Sequence, residues 1–552
     1  MTDKVTAEET IITPGTSSAL PEGFHSLPKR QIVFTMVGVM LATLLSALDQ
    51  TIVGTAMPRI IADLNGFEHY AWVVTAYMVT STTTVPIMGK LTDLYSRKWL
   101  FFSGIVFFLF TSALCGLSQS MTQLIIFRGL QGIGAGTMMA NSFTVIGDLF
   151  PPVERGKYQG FVGAMFGLAS VVGPTTGGYI TDNLSWHWVF FVNLPLGLVV
   201  VAVFLLFFPH VSPVGNRQQI DFAGAGTLIL CVVPLLLALS WAGTRYEWGS
   251  PEVVALLGFA VLMAIVFVLI EGRASEPTMP LELFANPIFR VSVVLTFLTG
   301  VGMFGMIIFI PLFVQGALGN SATVSGNVLT PMTLAMVIGN VSSGQVLARA
   351  GGRYRIQALL GLGIMTFGTF LLVGMGLDTS NLVVSRNIAI AGFGLGITMP
   401  LFIIAVQNSV PYRLLGVSTA STQFFRSIGG TVGVSLLGTV MTNRFTTEFR
   451  GLIPQAAGNA LTPDTISQML SNPEALVSPE ARDQLMNSLP SLGAAGQVQA
   501  EQFLSTMREA LALSLHDVFL AGALLCACAF VIALFLKEIP LRKKHTMDSP
   551  AR

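Results

Sequence analysis

Two charged residues lie inside apolar stretches of the sequence, where burial of a charge costs free energy. Asp49 lies in TLLSALDQTIVGTAMPRI, residues 43–60, and Arg128 begins RGLQGIGAGTMM in a second apolar stretch. A charge at the centre of a bilayer costs at least about 2.5–3.5 kcal/mol, so such residues are rare and usually functional. A carboxylate there can exchange a proton, and a guanidinium beside it stays protonated and can tune that exchange. We therefore predict that Asp49 is a proton-exchange site, with Arg128 as its neighbour.

The composition places these residues in a membrane. Of the 552 residues, 52% are hydrophobic and 10% are charged, whereas about a quarter of a soluble domain is charged. A net charge of +1 gives no basic face for binding nucleic acid. The four cysteines lie in apolar runs, which favours packing over a disulfide or a metal site: Cys115, Cys231, Cys526 and Cys528.

Fourteen apolar runs are each long enough to cross about 30 Å of hydrocarbon as a helix. They predict an all-α polytopic membrane protein rather than a barrel, whose strands would be about 10 residues long with strict alternation. The runs lie approximately at 31–57, 70–91, 99–118, 123–149, 157–181, 187–208, 222–242, 252–271, 289–314, 324–348, 356–376, 386–408, 416–442 and 516–537.

Lysine and arginine concentrate in the loops on the side of the N-terminus, and such loops are usually cytoplasmic. Because the number of runs is even, both termini are predicted to be cytoplasmic, in a cell membrane. The first run follows Lys29 and Arg30 with no evident cleavage site, which predicts a retained first span. The predicted segments are a tail 1–30, a six-helix bundle 31–208, two inserted helices 222–271, a second six-helix bundle 289–537 and a tail 538–552.

An internal repeat supports the division into halves. A Gly-x-Gly-x-Gly pattern followed by methionine occurs both in RGLQGIGAGTMMA from Arg128 and in IAGFGLGITMP from Ile390. Such symmetry is typical of secondary transporters, which bind substrate between the repeats. The long loop 443–515 is predicted to be extracellular, with a helix-start signature in TPDTISQML. It is interpreted as a lid, a docking element for an accessory partner or a passive surface.

Two further motifs can be interpreted from the chemistry of their residues. In GKLTDLYSRK, residues 89–98, Gly89 allows close backbone approach, Asp93 can face a helix N-terminus and Arg97 can pair with an acid. This loop is read as a gate or as an ordinary positively charged loop. GLASVVGPTTGGYI contains a proline and several glycines within one run, which predicts a bent or closely packed helix.

Taken together, these stretches resemble the fourteen-helix drug:proton antiporters of the major facilitator superfamily, of the EmrB/QacA type. The resemblance rests on LDQTIVGTAMPRI, GKLTDLYSRK, RGLQGIGAGTMM, GPTTGG and WHWVFFVNLPLG, in this order. It covers essentially the whole membrane domain and implies two six-helix halves with two extra central helices.

The resemblance also implies roles for individual residues. The helix signature of the antiporters falls on Gly173, Pro174 and Gly177. The loop after the second helix, which would stabilise the outward-open state, falls on Gly89, Asp93 and Arg97. Proton coupling falls on Arg128, while Arg97 would pair with Asp148 and Asp93 would face the start of the thirteenth run near Gly416.

The function expected from these features is proton-coupled export of lipophilic drugs or dyes, cationic or neutral, by a monomer that uses alternating access and needs no cofactor or metal. Export of a lipid or lipid-like molecule is the alternative. An enzyme or sensor is disfavoured because no nucleophile elbow, phosphate loop or metal-ligand cluster is evident.

The second half lacks the extra acids that some drug exporters of the resembling family carry in these helices. No membrane-embedded acid is evident in its runs, whose embedded charge is Arg426, so binding of dicationic drugs is doubtful. A soft aromatic substrate surface is predicted there, because methionine and phenylalanine suit an adaptable pocket. Its candidate residues are Phe304, Phe309, Gln315 and Arg426.

Overall fold

The computed structural model describes residues 27–64, 70–209, 220–243, 245–349, 353–456 and 493–541, and within these ranges the chain is helical without β-strands. The first half contains α1 (Lys29–Leu64), α2 (Tyr70–Leu94), α3 (Arg97–Gly116), α4 (Met121–Leu149), α5 (Pro152–Asn183), α6 (Trp188–Phe191) and α7 (Asn193–Phe207). Two linking helices follow, α8 (Phe222–Trp241) and α9 (Pro251–Glu271). The second half contains α10 (Glu282–Ala285), α11 (Pro287–Leu312) with a π-helical turn (Phe313–Ala317), α12 (Ala322–Arg349), α13 (Tyr354–Val373), α14 (Asn381–Ser409), a 3₁₀ turn (Tyr412–Leu414), α15 (Leu415–Ala456) and α16 (Gly493–Ala533).

Twelve stretches of these helices are long and apolar enough to cross a membrane, which makes the chain a multi-pass membrane protein. Among the longer helices of the described ranges, α2 and α4 do not reach that hydropathy. Both are rich in polar side chains: α2 carries a run of threonines, and α4 carries Arg128, Gln131, Asn141 and Asp148. The number of fourteen spans stays a prediction.

The glycine repeat is used in the same way in both halves. A Cβ on Gly132 or Gly136 of α4 would lie closer than 3.0 Å to α2, and one on Gly134 would meet α3. In α14, Gly392 and Gly396 meet α12 and the middle glycine, Gly394, meets α13 in the same manner. Small residues let helix backbones approach within a membrane. The repeat read from the sequence is therefore a repeat of helix packing.

Each half buries its own apolar core, and the linking helices lie against both. Leu228 and Val232 of α8 and Phe267 of α9 share a buried cluster with Val79 of α2 and Phe424 of α15. The inserted pair thus packs where α2 of the first half meets α15 of the second.

Residues that join the two halves concentrate at one end of the bundle, where α1 begins and α16 ends. We call it the basic end, because Lys90, Arg97, Lys98 and Arg155 lie there; the opposite end is called the far end. At the basic end Gly156 of α5 lies against Gly344 of α12, and Gly89 of α2 lies against Ala420 of α15. The two halves are therefore in contact at the basic end.

The helices flanking the predicted long loop reach into it from both sides. Helix α15 continues to Ala456 and α16 begins at Gly493, so 443–456 and 493–515 are helical rather than loop. The stretch TPDTISQML and the role assigned to the loop lie outside the described residues. So do most of the tail 1–30 and nearly all of the tail 538–552.

Candidate functional site

Asp49 is completely buried and is held by three side chains. Its Oδ2 accepts a hydrogen bond from Arg128 Nη1 at 2.6 Å, and its Oδ1 accepts from Gln131 Nε2 and Asn193 Nδ2, both at 2.9 Å. Arg128 also donates to Gln131 Oε1 at 2.8 Å. We call Asp49, Arg128, Gln131 and Asn193 the Asp49 cluster. An ionised carboxylate in an apolar interior needs such donors to offset its desolvation.

Three helices supply the Asp49 cluster. Arg128 and Gln131 are three residues apart on α4 and so lie on one face of that helix, while Asn193 is the first residue of α7. The guanidinium lies over the ring of Tyr77 from α2, 4.2 Å from the ring centroid. Seven residues separate Arg128 from the start of α4, a distance of about 10 Å along the helix. The cluster therefore lies nearer the far end than the basic end.

The glycine-rich helix α5 positions Asp49 indirectly. A Cβ on Gly173 would lie closer than 3.0 Å to the Thr51 hydroxyl of α1, and one on Gly177 would collide with the Thr55 hydroxyl. Thr51 Oγ1 donates to the Ala169 carbonyl of α5 at 3.1 Å. Because Thr51 is two residues from Asp49, the depth of this contact sets where α1 holds the carboxylate. Pro174 is exposed, and α5 continues through it.

The GKLTDLYSRK loop forms a polar contact between the halves at the basic end. Asp93 accepts hydrogen bonds from the backbone amides of Gly416 and Val417, both at 2.9 Å, at the start of α15. A carboxylate at a helix N-terminus is stabilised by the unpaired amides and by the helix dipole. Burial outweighs these contributions and that of Arg97, and it raises the pKa of Asp93 to about 6.

Arg97 connects this contact to the end of α4. It forms an ion pair with Asp148 at the end of α4 and lies 3.4 Å from Asp93. Tyr412 of the second half donates its hydroxyl to Asp148 Oδ1 at 2.9 Å. We call Asp93, Arg97, Asp148, Tyr412 and the Gly416 and Val417 amides the latch. A Cβ on Gly89 would collide with Ala420, so this glycine is required for the halves to meet here.

Several residues of these sites were not singled out from the sequence. Gln131 and Asn193 complete the Asp49 cluster, and Tyr412 completes the latch. Gln407 of α14 accepts from Arg155 Nη1 at 3.2 Å, which adds a second polar link between the halves. Asn193 lies in the NLPLG stretch that carried the resemblance. An amide at the start of an apolar helix is the signal that could have identified it.

The four residues predicted for a substrate pocket lie in different surroundings, and the pocket stays a prediction. Phe309 is 3% exposed in the apolar core of the second half, and Gln315 lies in the π-helical turn. Phe304 is half-buried and packs on Gly430 of α15, one helical turn from Arg426. Phe304 of α11 thus contacts α15 one helical turn from Arg426.

Comparison with known proteins agrees with this architecture. The sequence profile described as Major Facilitator Superfamily matches residues 39–434, which is more than half of the chain. The chain belongs to the major facilitator superfamily. It is therefore a multi-pass membrane transporter and not an enzyme, and transporters of this superfamily generally act on small molecules as monomers and without a cofactor.

Two relatives with similar sequences carry names that refer to multidrug transport or resistance. The multidrug transporter protein MdtP of Bacillus subtilis (strain 168) is 42% identical over 537 residues, covering 94% of this chain and 95% of the relative. Multidrug resistance protein 3 of the same organism is 37% identical, covering 94% and 98%. Among solved structures, the human organic anion transporter MFSD10 has a TM-score of 0.55 at 16% identity, covering 82% of this chain and all of that one, and shows the fold alone.

Proposed function

We propose that the protein is a proton-driven antiporter that exports lipophilic drugs or dyes by alternating access between its two halves. The observation that carries this proposal is the completely buried Asp49 cluster in a chain related to multidrug transporters. Burial of a carboxylate within a membrane protein costs free energy even when the group is paired, so such residues usually have a function. A single carboxylate beside a permanently charged guanidinium can bind and release a proton, and this is the function that we assign to Asp49.

The geometry suggests how the proton changes the conformation. In the described state Asp49 accepts hydrogen bonds from Arg128, Gln131 and Asn193. A proton on Asp49 removes the charge that holds these donors, so the guanidinium needs other partners and the contacts among α1, α4 and α7 weaken. The proton thereby acts on three helices of the first half at once, which is what a conformational switch requires.

The two sites lie at opposite ends of the bundle. The latch joins the halves at the basic end, whereas the Asp49 cluster lies nearer the far end. We propose that the basic end faces the cytoplasm, as its lysines and arginines indicate. The described conformation is then closed toward the cytoplasm, and protons reach Asp49 from the outside. Substrate would bind from the cytoplasm or the inner leaflet once the latch opens.

Dye-induced proton release from inverted membrane vesicles tests the proposal. We expect Asp49→Asn to abolish dye-linked proton movement, because an amide cannot carry the proton. Asp63→Asn is the matched control: Asp63 is an acid of the same helix that accepts from Trp186 Nε1 at 2.8 Å, outside the Asp49 cluster. Undiminished proton movement in Asp49→Asn would contradict the proposal, as would an equal loss in both variants.

A further inference from the structure

The second half contains a buried positive charge that the proton mechanism does not use. Arg426 of α15 is 6% exposed, and its Nη1 donates to Gln423 Oε1 at 2.8 Å. Its Nη2 donates to the Met399 carbonyl of α14 at 3.3 Å. These partners are neutral, and no carboxylate of the described residues forms an ion pair with Arg426. Arg426 differs in this respect from Arg128, whose charge Asp49 cancels.

Gln423 has an unpaired hydrogen-bond donor beside Arg426. This side chain is 1% exposed, and its oxygen is taken by the guanidinium. Its Nε2 is buried without a hydrogen-bond partner among the described residues. An unpaired buried donor is costly and so is an unpaired buried cation. A group that accepts hydrogen bonds and carries negative charge would satisfy both.

The buried charges of the two halves also favour a negatively charged group beside Arg426. Asp49 and Arg128 cancel each other within 2.6 Å, so Arg426 adds one uncompensated positive charge to the interior. A cationic substrate that approached Arg426 would be repelled through a medium of low dielectric constant, whereas an anionic group would be attracted. The expectation of cationic substrates therefore does not fit this half of the protein.

We infer that Arg426 and Gln423 form a substrate subsite for an anionic group, a carboxylate or sulfonate, so that the preferred substrates are amphipathic acids or zwitterions. Phe304, which packs on Gly430 four residues along α15, offers aromatic surface for the apolar part of the same molecule. The inference rests on the proposed export function and specifies its substrate class.

A matched pair of dyes separates the two charge types. Rhodamine 6G is the cationic ethyl ester of rhodamine 19, whose free carboxylate makes it a zwitterion at neutral pH. Their binding to the full chain in lipid nanodiscs is read by fluorescence anisotropy, after subtraction of binding to empty nanodiscs. We expect rhodamine 19 to bind about tenfold more tightly than rhodamine 6G, the size of a charged hydrogen bond.

Two variants test the assignment to this subsite. Arg426→Gln should remove the preference by weakening rhodamine 19 binding while leaving rhodamine 6G binding unchanged or stronger. Gln423→Glu should remove it as well, because the new carboxylate lies beside Arg426 and takes the place of the ligand's charge. Since Gln423→Glu adds an ion pair within the fold, it provides the test even where Arg426→Gln does not yield folded protein.

The inference is overturned if the natural chain binds rhodamine 19 no more tightly than rhodamine 6G, or if Gln423→Glu keeps the preference. It is also overturned if Arg426→Gln weakens both dyes equally, which indicates a structural role. This binding assay uses no proton gradient, so absence of dye-linked proton movement counts against the proposed function alone.

Discussion

At the scale of single residues, Asp49 depends on donors that are neutral. Arg128 supplies the opposite charge, but Gln131 and Asn193 supply both hydrogen bonds to the second oxygen. Asn193 in turn is held by Ser112, whose oxygen accepts from Asn193 Nδ2 at 3.0 Å. The position of the Asp49 carboxylate thus depends on neutral donors as well as on Arg128.

Replacement of Asn193 by leucine should impair transport. Asp49 loses one donor, a loss of about 1–3 kcal/mol for a buried group, so the contacts among α1, α4 and α7 weaken. We expect the rate of dye efflux to fall about tenfold, since a factor of ten in rate corresponds to about 1.4 kcal/mol. Ser112→Ala, which keeps the bond from Asn193 to Asp49, should lower it less. An unchanged efflux rate in Asn193→Leu would remove Asn193 from the coupling mechanism.

At the scale of helices, α5 contacts different partners along its length. Toward the basic end it packs through Gly156, Gly160 and Gly163 against α12 of the second half. Toward the far end it packs through Gly173 and Gly177 against α1, beside Asp49. A helix in contact with both halves can transmit a shift of α1 to the interface, and glycines keep those contacts close.

Gly177→Ala should weaken the packing of α5 against α1. Its Cβ would collide with the Thr55 hydroxyl, and overpacking of this kind costs about 1–3 kcal/mol, so we expect about a tenfold loss of efflux together with lower thermal stability. Gly178→Ala is the matched control, because nothing lies within 4 Å of a Cβ at that position. Efflux assays and thermal unfolding of the two purified variants make the comparison. Equal losses in both would mean that the reduced backbone flexibility of α5, rather than the α1 contact, is responsible.

At the scale of the whole molecule, the closed basic end depends on the fit of α2 against α15. Gly89→Ala should hold the basic end open, because its Cβ would meet that of Ala420. Ala420→Gly in the same chain should restore closure by removing that methyl group. Spin labels at Tyr95 and Arg353, which are both exposed at the basic end, report the separation of the halves by pulsed electron resonance. We expect a longer mean distance in Gly89→Ala and the original distance in the double variant.

The double variant decides between two explanations. If the distance stays long after Ala420→Gly, the added methyl group acts on α2 itself and not on the contact between the halves. If Gly89→Ala leaves the distance unchanged, the latch does not govern closure at the basic end.

Much of the architecture was predictable because a membrane restricts what a chain can do. Every backbone polar group in hydrocarbon must be satisfied within its own segment, so long apolar runs become helices. For the same reason a charge such as Asp49 or Arg128 stands out within a run. The Gly-x-Gly-x-Gly pattern was readable as a repeat because only glycine permits the helix approach that both halves use.

From the sequence alone the multi-pass helical membrane protein was predictable, and Asp49, Arg128 and Arg426 could be singled out as charges within apolar runs. Tertiary structure alone decided which neutral partners these charges have: Gln131 and Asn193 for Asp49, Tyr412 for Asp148, and Gln423 for Arg426. A charge in an apolar segment is conspicuous because burial makes it costly. Its neutral partners resemble many other amides and hydroxyls along the chain, and only the packing of distant helices brings one of them within hydrogen-bond distance.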